Sequence, residues 1–277
     1  MPITFMTNSD SEQILGDPSR IFWCPTGPFT FLPFHAAGLY DDQHSQLGHK
    51  VFDFVVSSYT PSLAILAPSS NSSVRSENLC FLAVRQPATD GQGPLPGAVT
   101  ELERIVEAVQ NLPSAYTTLV EPSIGTVEEV LSLMKDADWV HFACHGVQVG
   151  IDSGLCLAGG RRLKVRDIIS VSRPHGGLAF LSACQTAKGD RHLSDEAIHI
   201  AAGMLFAGYG GVIGTMWSIS DKLAPDVANG VYGHLFRKST RPDYREAAYA
   251  LHAATGNLRK SDGVSFDEWI PFIHVGL

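Results

Sequence analysis

The sequence is poor in charge, and poorer still in basic charge. Asp, Glu, Lys and Arg make up 17 % of its 277 residues, against about a quarter in ordinary globular chains. The 28 acidic residues outnumber the 20 basic ones, for a formal net charge of −8, and no basic run exceeds two residues. A phosphate-binding surface needs clustered Lys and Arg, so nucleic acid is excluded as a partner. Cysteine is scarce and odd in number, at positions 24, 80, 144, 156 and 184, with no C-x-x-C pair. That argues against a disulfide framework and for a reducing compartment, the cytoplasm. The N-terminus, MPITFMTNSDSEQ, lacks the basic start and apolar core of a secretory signal. Its first 19 residues are polar and read as frayed. There is no Walker motif, no H-E-x-x-H and no G-x-S-x-G. No metal and no organic cofactor is called for.

One long uncharged run exists. Ala197 to Trp217 holds no Asp, Glu, Lys or Arg over 21 residues, enough to cross a bilayer. It also holds five glycines, with Gly208-Tyr209-Gly210-Gly211 in its middle. That cluster marks a helix stop and a new element. The run reads as a buried helix, a turn and a buried strand, and no membrane partner is expected. The same glycines follow a helix and precede a strand, the reverse of the phosphate-loop order.

What is present is apolar: 44 % of the residues, sufficient for a large core and against extended disorder. Continuous apolar strands are expected at Arg20–Cys24, Phe29–Leu32, Val51–Val56, Leu79–Val84, Trp139–Ala143, Leu178–Ser182 and Gly211–Trp217. A short helix from Thr60 through Leu66 has Thr60 as cap and Pro61 at its first position. A helix over 97–112 shows apolar spacings of three and four at Val99, Leu102, Ile105, Val106 and Val109. Thr126-Val127-Glu128-Glu129 forms a capping box for a helix to about Lys135. Residues 150–160 read as a loop or hairpin. Further helices are expected at 165–171, from the Ser194-Asp195-Glu196 cap to Gly208, at 225–236 and at 244–259. Phe266–Phe272 reads as an edge strand. Strands that are apolar throughout and alternate with helices specify an α/β fold with a mainly parallel sheet. The unit spans residues 20–277, and the polar stretch 68–77 is the one weak candidate subdivision.

Two strand ends carry chemistry: His141-Phe142-Ala143-Cys144-His145-Gly146 and Ser182-Ala183-Cys184-Gln185-Thr186. Ligands of open α/β sheets sit outside the carboxyl ends of the strands, so His145 and Cys184 meet at one rim. An imidazole takes the proton of a thiol, and the sulfur attacks a carbonyl carbon. The amides of Gly146 and Cys184 are placed to hold the oxyanion. Cys144 alternates away from His145 into the core. His141 shares the face of His145 and reads as a buried histidine bonded to a carbonyl. A zinc site from His141, His145, Cys184 and Cys156 uses suitable ligands in a spacing that fits no finger. Asp195 and Glu196 complement a helix N-terminus. Asp221, with Trp217, either lines a pocket for a basic side chain or caps the following helix.

The local Ala183-Cys184-Gln185 matches the core of the caspase signature, with a His upstream at similar distance, while Ser182 and Thr186 depart from it. More of the chain carries a wider resemblance: Cys24-Pro25-Thr26-Gly27-Pro28, Leu32-Pro33-Phe34-His35, Ser57-Ser58-Tyr59-Thr60-Pro61-Ser62, Leu95-Pro96-Gly97-Ala98, Leu193-Ser194-Asp195-Glu196-Ala197 and Gly211 through Asp221. With the two strand ends, these resemble the CHAT domain, a caspase-like and separase-like branch of the clan CD cysteine peptidases, and most of all its fungal members. The resemblance covers roughly residues 20–260. It implies a caspase–haemoglobinase-like three-layer sandwich, a His145–Cys184 dyad and endopeptidase activity on protein or peptide substrates. The alternative is a catalytically inactive module of the same fold. Family members often carry tetratricopeptide-type repeats before the domain, and nothing before residue 20 forms one. The resemblance therefore implies a helical-repeat partner acting in trans, or a truncated or degenerate copy.

Overall fold

A computed structural model describes residues 18–41, 47–66, 78–112, 117–147, 153–172, 176–185, 196–237 and 242–277, with backbone alone at 184–185 and 196–199. The strands are β1 (Arg20–Trp23), β2 (Val56–Tyr59), β3 (Leu79–Arg85), β4 (Thr117–Val120), β5 (Trp139–Val147), β6 (Gly154–Cys156), β7 (Arg162–Lys164), β8 (Gly176–Gln185), β9 (Tyr209–Thr215) and β10 (Phe272–Gly276). The helices are α1 (Pro96–Gln110), α2 (Val127–Met134), α3 (Val165–Ser170), α4 (Glu196–Ala207), α5 (Ala224–Arg237), α6 (Ala247–Arg259) and α7 (Phe266–Trp269). Among the described residues the strands make one sheet in the order β1-β2-β10-β9-β8-β5-β3-β4, with the β6–β7 hairpin hung on β5. Every pairing along that row is parallel except β10 with β9.

Strand alternation divides the core into two halves. Val140, Phe142 and Cys144 pack with α2, α3 and α4 residues such as Val130, Ile168 and Met204. Trp139 and the β8 residues Leu178 and Phe180 pack with Leu102 and Ile105 of α1 and with α5 and α6. The result is three layers, helix–sheet–helix. A parallel sheet needs this cover because both its faces are apolar, and each fully buried Leu, Ile or Phe contributes about 1.5–3 kcal/mol. The uncharged run resolves into α4 and β9, joined at Gly208, whose φ of +107° suits glycine. Among the described residues no helix is long and apolar enough to cross a membrane.

Several local expectations are corrected. Residues 29–32 form no strand: Gly27–Phe31 is a 3₁₀ turn, with Gly27 at φ +59°, proline next, and the Thr30 hydroxyl donating to the Gly27 carbonyl. Turn chemistry outweighs the apolar run there. Val51–Asp53 is also 3₁₀, because Asp53 Oδ2 accepts the amides of Gly48, His49 and Lys50, and the strand starts only at Val56. The expected helix from Thr60 shrinks to a 3₁₀ turn at Leu63–Leu66. Thr126 Oγ1 does accept the Glu129 amide, but the Glu129 carboxylate reaches past it to the amides of Ser123, Ile124 and Gly125. The stretch 266–272 splits at Pro271 into α7 and β10, and β10 lies inside the sheet, between β9 and β2, not at an edge. The edges are β1 and β4, and β4, with the sequence TTLV, is too short and polar for an apolar-run signal. The candidate subdivision at 68–77 and the residues 194–195 of the expected cap lie outside the described residues, as do residues 1–17.

Candidate active site

The loop from Gln86 to Leu95 folds back over the end of β5. It is tied there by the Gln86 amide on the Ala143 carbonyl (2.9 Å) and the Leu95 amide on the Pro87 carbonyl (2.8 Å). This brings the Gly93 carbonyl to 2.7 Å from His145 Nε2, in a ring only 3 % exposed. A carbonyl can only accept, so Nε2 donates, and in the neutral ring Nδ1 is then the atom with the lone pair. Nδ1 is buried and makes no hydrogen bond among the described residues.

The β5–β8 ladder sets what lies beside it. Ala143 pairs with Ser182, His145 with Cys184 and Gly146 with Gln185. Leu178, Phe180 and Ser182 are the β8 positions that face α1 and α5, and Cys184 is the next position in that row. Cys144 belongs to the opposite half of the core and is fully buried, as alternation requires. Gly146 continues the strand in register with both Gln185 and Leu155.

Beneath His145 lies a polar group that the sequence did not announce. His141 is fully buried, with Nδ1 at 3.1 Å from the Tyr232 hydroxyl and Nε2 at 3.2 Å from Glu101 Oε1. The second contact is close but too bent for a hydrogen bond. The Ser182 hydroxyl donates to Glu101 Oε2 at 2.9 Å. The partner of His141 is therefore a tyrosine and a glutamate, not a carbonyl. The signal was available in part: Glu101 lies three residues after Ala98 and four before Ile105, on the buried stripe of its helix.

Asp221 caps a helix, but not the one that follows it. Its Oδ2 accepts the Gly97 amide at 2.7 Å, at the N-terminus of α1. A Cβ at Gly97 would overlap the Asp221 backbone, so this approach demands glycine. Asp221 is half-buried, and Oδ1 makes no hydrogen bond or ion pair among the described residues. Trp217 is half-buried against both halves of the core and its Nε1 donates to the Asp267 carbonyl at 3.4 Å. The two tips have different partners, one on α1 and one on α7. A cavity of about 30 Å³ lies elsewhere, between β2, β10 and α6, lined by His35, Tyr59, His252 and Arg259; no candidate residue borders it. Among the described residues, no three His, Cys, Asp or Glu converge as a metal site.

The model of the CHAT domain matches residues 8–277. The chain belongs to the CHAT domain family. No protein of curated function matches its sequence. Among solved structures, this CHAT domain shares its fold with Saccharomyces cerevisiae separase in its complex with securin. That match has a TM-score of 0.52 at 16 % identity over 82 % of this chain and 14 % of that one. It also shares its fold with Porphyromonas gingivalis gingipain R, an Arg-specific cysteine proteinase. There the TM-score is 0.54 at 10 % identity over 86 % of this chain and 58 % of that one. The domain thus spans a small part of the first and just over half of the second. At such identities the likeness establishes a clan CD caspase-like cysteine-protease fold and no more.

Proposed function

We propose that this CHAT domain is a cysteine endopeptidase that works through Cys184 and His145. In this reading, His145 Nδ1 takes the Cys184 thiol proton and the sulfur bonds to the substrate carbonyl carbon. The carbonyl electron pair moves onto oxygen, where the amides of Gly146 and Cys184 receive it. Collapse of that intermediate expels the amine, which leaves with the proton from Nδ1 and a thioester behind. Water, deprotonated by the same nitrogen, then releases the acid. The observation that carries the reading is the register pair His145–Cys184 with Nδ1 left free by the Gly93 carbonyl. We assign Asp221 and Trp217 to the pocket for the residue before the scissile bond, with a basic side chain answering Asp221 Oδ1. We place the protein in a reducing, cytoplasmic setting, in keeping with Cys24, Cys80, Cys144 and Cys156, which form no disulfide among the described residues.

The test is labelling by an electrophilic peptide probe. Wild type should label at residue 184, Cys184→Ala should not, and His145→Ala should react about 10²–10⁴-fold more slowly. Equal labelling of all three proteins would remove the proposal.

One observation favours a second reading, a CHAT-fold module that docks a helical-repeat partner. Of twelve exposed large apolar side chains among the described residues, eight fall between Ile21 and Leu63, including Phe29, Leu32, Phe54 and Leu63. Exposed apolar residues concentrated in one region mark interaction surfaces. Phe29→Ser with Leu63→Ser should then abolish binding of a tetratricopeptide-repeat protein, and unchanged binding would dismiss that reading.

A further inference from the structure

We infer that Glu101, with Ser182 and His141, is a positioning unit for the reacting thiol, an inference that rests on the Cys184–His145 reading. Four side chains from four elements meet in one buried row: Glu101 from α1, His141 from β5, Ser182 from β8 and Tyr232 from α5. Their exposures are 2 %, 0 %, 5 % and 0 %. A carboxylate this deep costs several kcal/mol unless it is paired or shares a proton, and no Lys or Arg reaches it among the described residues. The groups that face it are Ser182, His141 and, through His141, the Tyr232 hydroxyl. Glu101 and its charge push the Tyr232 hydroxyl further from ionising, in addition to burial. A core made only to be stable would fill this row with apolar atoms of similar volume. Its polar form therefore asks for another explanation.

Placement supplies one. Ser182 precedes Cys184 by two residues and His141 precedes His145 by four, so Ser182 lies one side-chain layer below the dyad and His141 two. Glu101 is one helical turn past Gly97, which Asp221 holds. α1 is thus fastened twice, at Gly97 to the loop after β9 and at Glu101 to β8 and β5. Its first turn then lies on Ala143, through Ala98 and Leu95. Gly93, whose carbonyl accepts the hydrogen bond from His145 Nε2, sits just before that turn. Glu101 therefore joins three parts whose relative placement decides whether a thiol meets Nδ1: the strand with Cys184, the strand with His145, and the loop that fixes the His145 tautomer. Misplacement of reacting groups by a fraction of an ångström is costly to rate while leaving a groove able to bind.

The experiment separates positioning from stability and from failure of the dyad reading. An electrophilic peptide probe is reacted with the full chain as wild type, Glu101→Gln, Ser182→Ala and Tyr232→Phe, each of which keeps shape and alters a single polar group. The inactivation rate at saturating probe and the probe concentration at half-saturation are measured apart, with thermal midpoints alongside. We expect Glu101→Gln and Ser182→Ala to lower the saturating rate at residue 184 by about tenfold or more, ~1.4 kcal/mol of barrier. Half-saturation should stay within twofold, Tyr232→Phe should move the rate least, and the Glu101→Gln/Ser182→Ala double variant should be no slower than the worse single one. Should wild type label at residue 184 while neither variant slows the saturating rate, the unit is only structural and the inference falls, whatever the thermal midpoints do. Should Glu101→Gln fail to fold, Ser182→Ala decides. Wild type that does not label at residue 184 overturns the dyad reading and this inference with it.

Discussion

At the end of β5, His145 gives Nε2 to the Gly93 carbonyl and keeps Nδ1 without a hydrogen bond among the described residues. At the seam between β2 and β10, His35 commits both nitrogens, Nδ1 to the Tyr59 hydroxyl at 2.8 Å and Nε2 to the Ile270 carbonyl at 2.9 Å. The seam holds a second buried histidine, whose Nε2 makes no hydrogen bond among the described residues. His274 Nδ1 lies 3.1 Å from the Ser58 hydroxyl and 3.2 Å from the guanidinium of Arg20, which must donate to it. Both regions bury imidazoles against the same sheet. His35 is a brace whose two ends are occupied, whereas His145 is held by one end. Residue type does not distinguish His35 from His145, but the count of committed nitrogens does.

The comparison is broken most directly by exchanging outcomes. His145→Gln should cost about 10²–10⁴-fold in Cys184 reactivity and little in unfolding midpoint, while His35→Gln should leave that reactivity unchanged and lower the midpoint. The next effect is on acid stability. Burial pushes His35 down to about 4 and holds His274 well below its ordinary range, the latter helped by Arg20. An imidazole that folds neutral but charges freely when unfolded stabilises fully above the unfolded value near 6.5, and that stability is lost as pH falls toward 4. For His35 the loss is about 3 kcal/mol, at ~1.36 kcal/mol per unit. Urea midpoints at pH 7 and pH 4.5 should show it, and His35→Gln should flatten the slope. A smaller effect sharpens the description of the seam. Arg20 donates to Ser58 Oγ at 2.8 Å and to the Gly276 carbonyl at 3.0 Å, lacing β1 to β10 across β2. Arg20→Met should cost about 2 kcal/mol in denaturant unfolding with no change at residue 184. The smallest is a control: Thr126→Ala removes the cap of α2 and about 1 kcal/mol, without touching either the acid slope or the probe rate.

The interior of the sheet was the readable part of the sequence. β3, β5, β8 and β9 are apolar throughout because they are covered on both faces, and that pattern has few other solutions. His145 and Cys184 were legible for the same reason, since each ends such a strand. The N-terminal segment was not. At Phe29 and Val51 an apolar run is bent by neighbours that bind its backbone, Thr30 in one case and Asp53 in the other, and periodicity is blind to such bonds. Asp221 shows the limit at the site itself. It was read as a cap for its own neighbouring helix, yet it serves one that begins 124 residues earlier, which only the assembled sheet brings near. The Glu101–His141 contact is hidden in the same way: each residue sits on a predictable face, but nothing local says that the faces meet.

The position of β10 has a consequence for how the protein is made. β2 has β1 on one side and β10 on the other, and from Tyr59 to Phe272 the ribosome must add 213 residues (272 − 59). At 5–20 residues per second that is roughly 10 to 40 s. For that interval the nascent β1–β2 ribbon, with its uncovered Phe29, Leu32 and Phe54 nearby, has no inner neighbour to zip against. β1 and β2 thus wait, unpaired on their inner side, until the last strand of the sheet has been made.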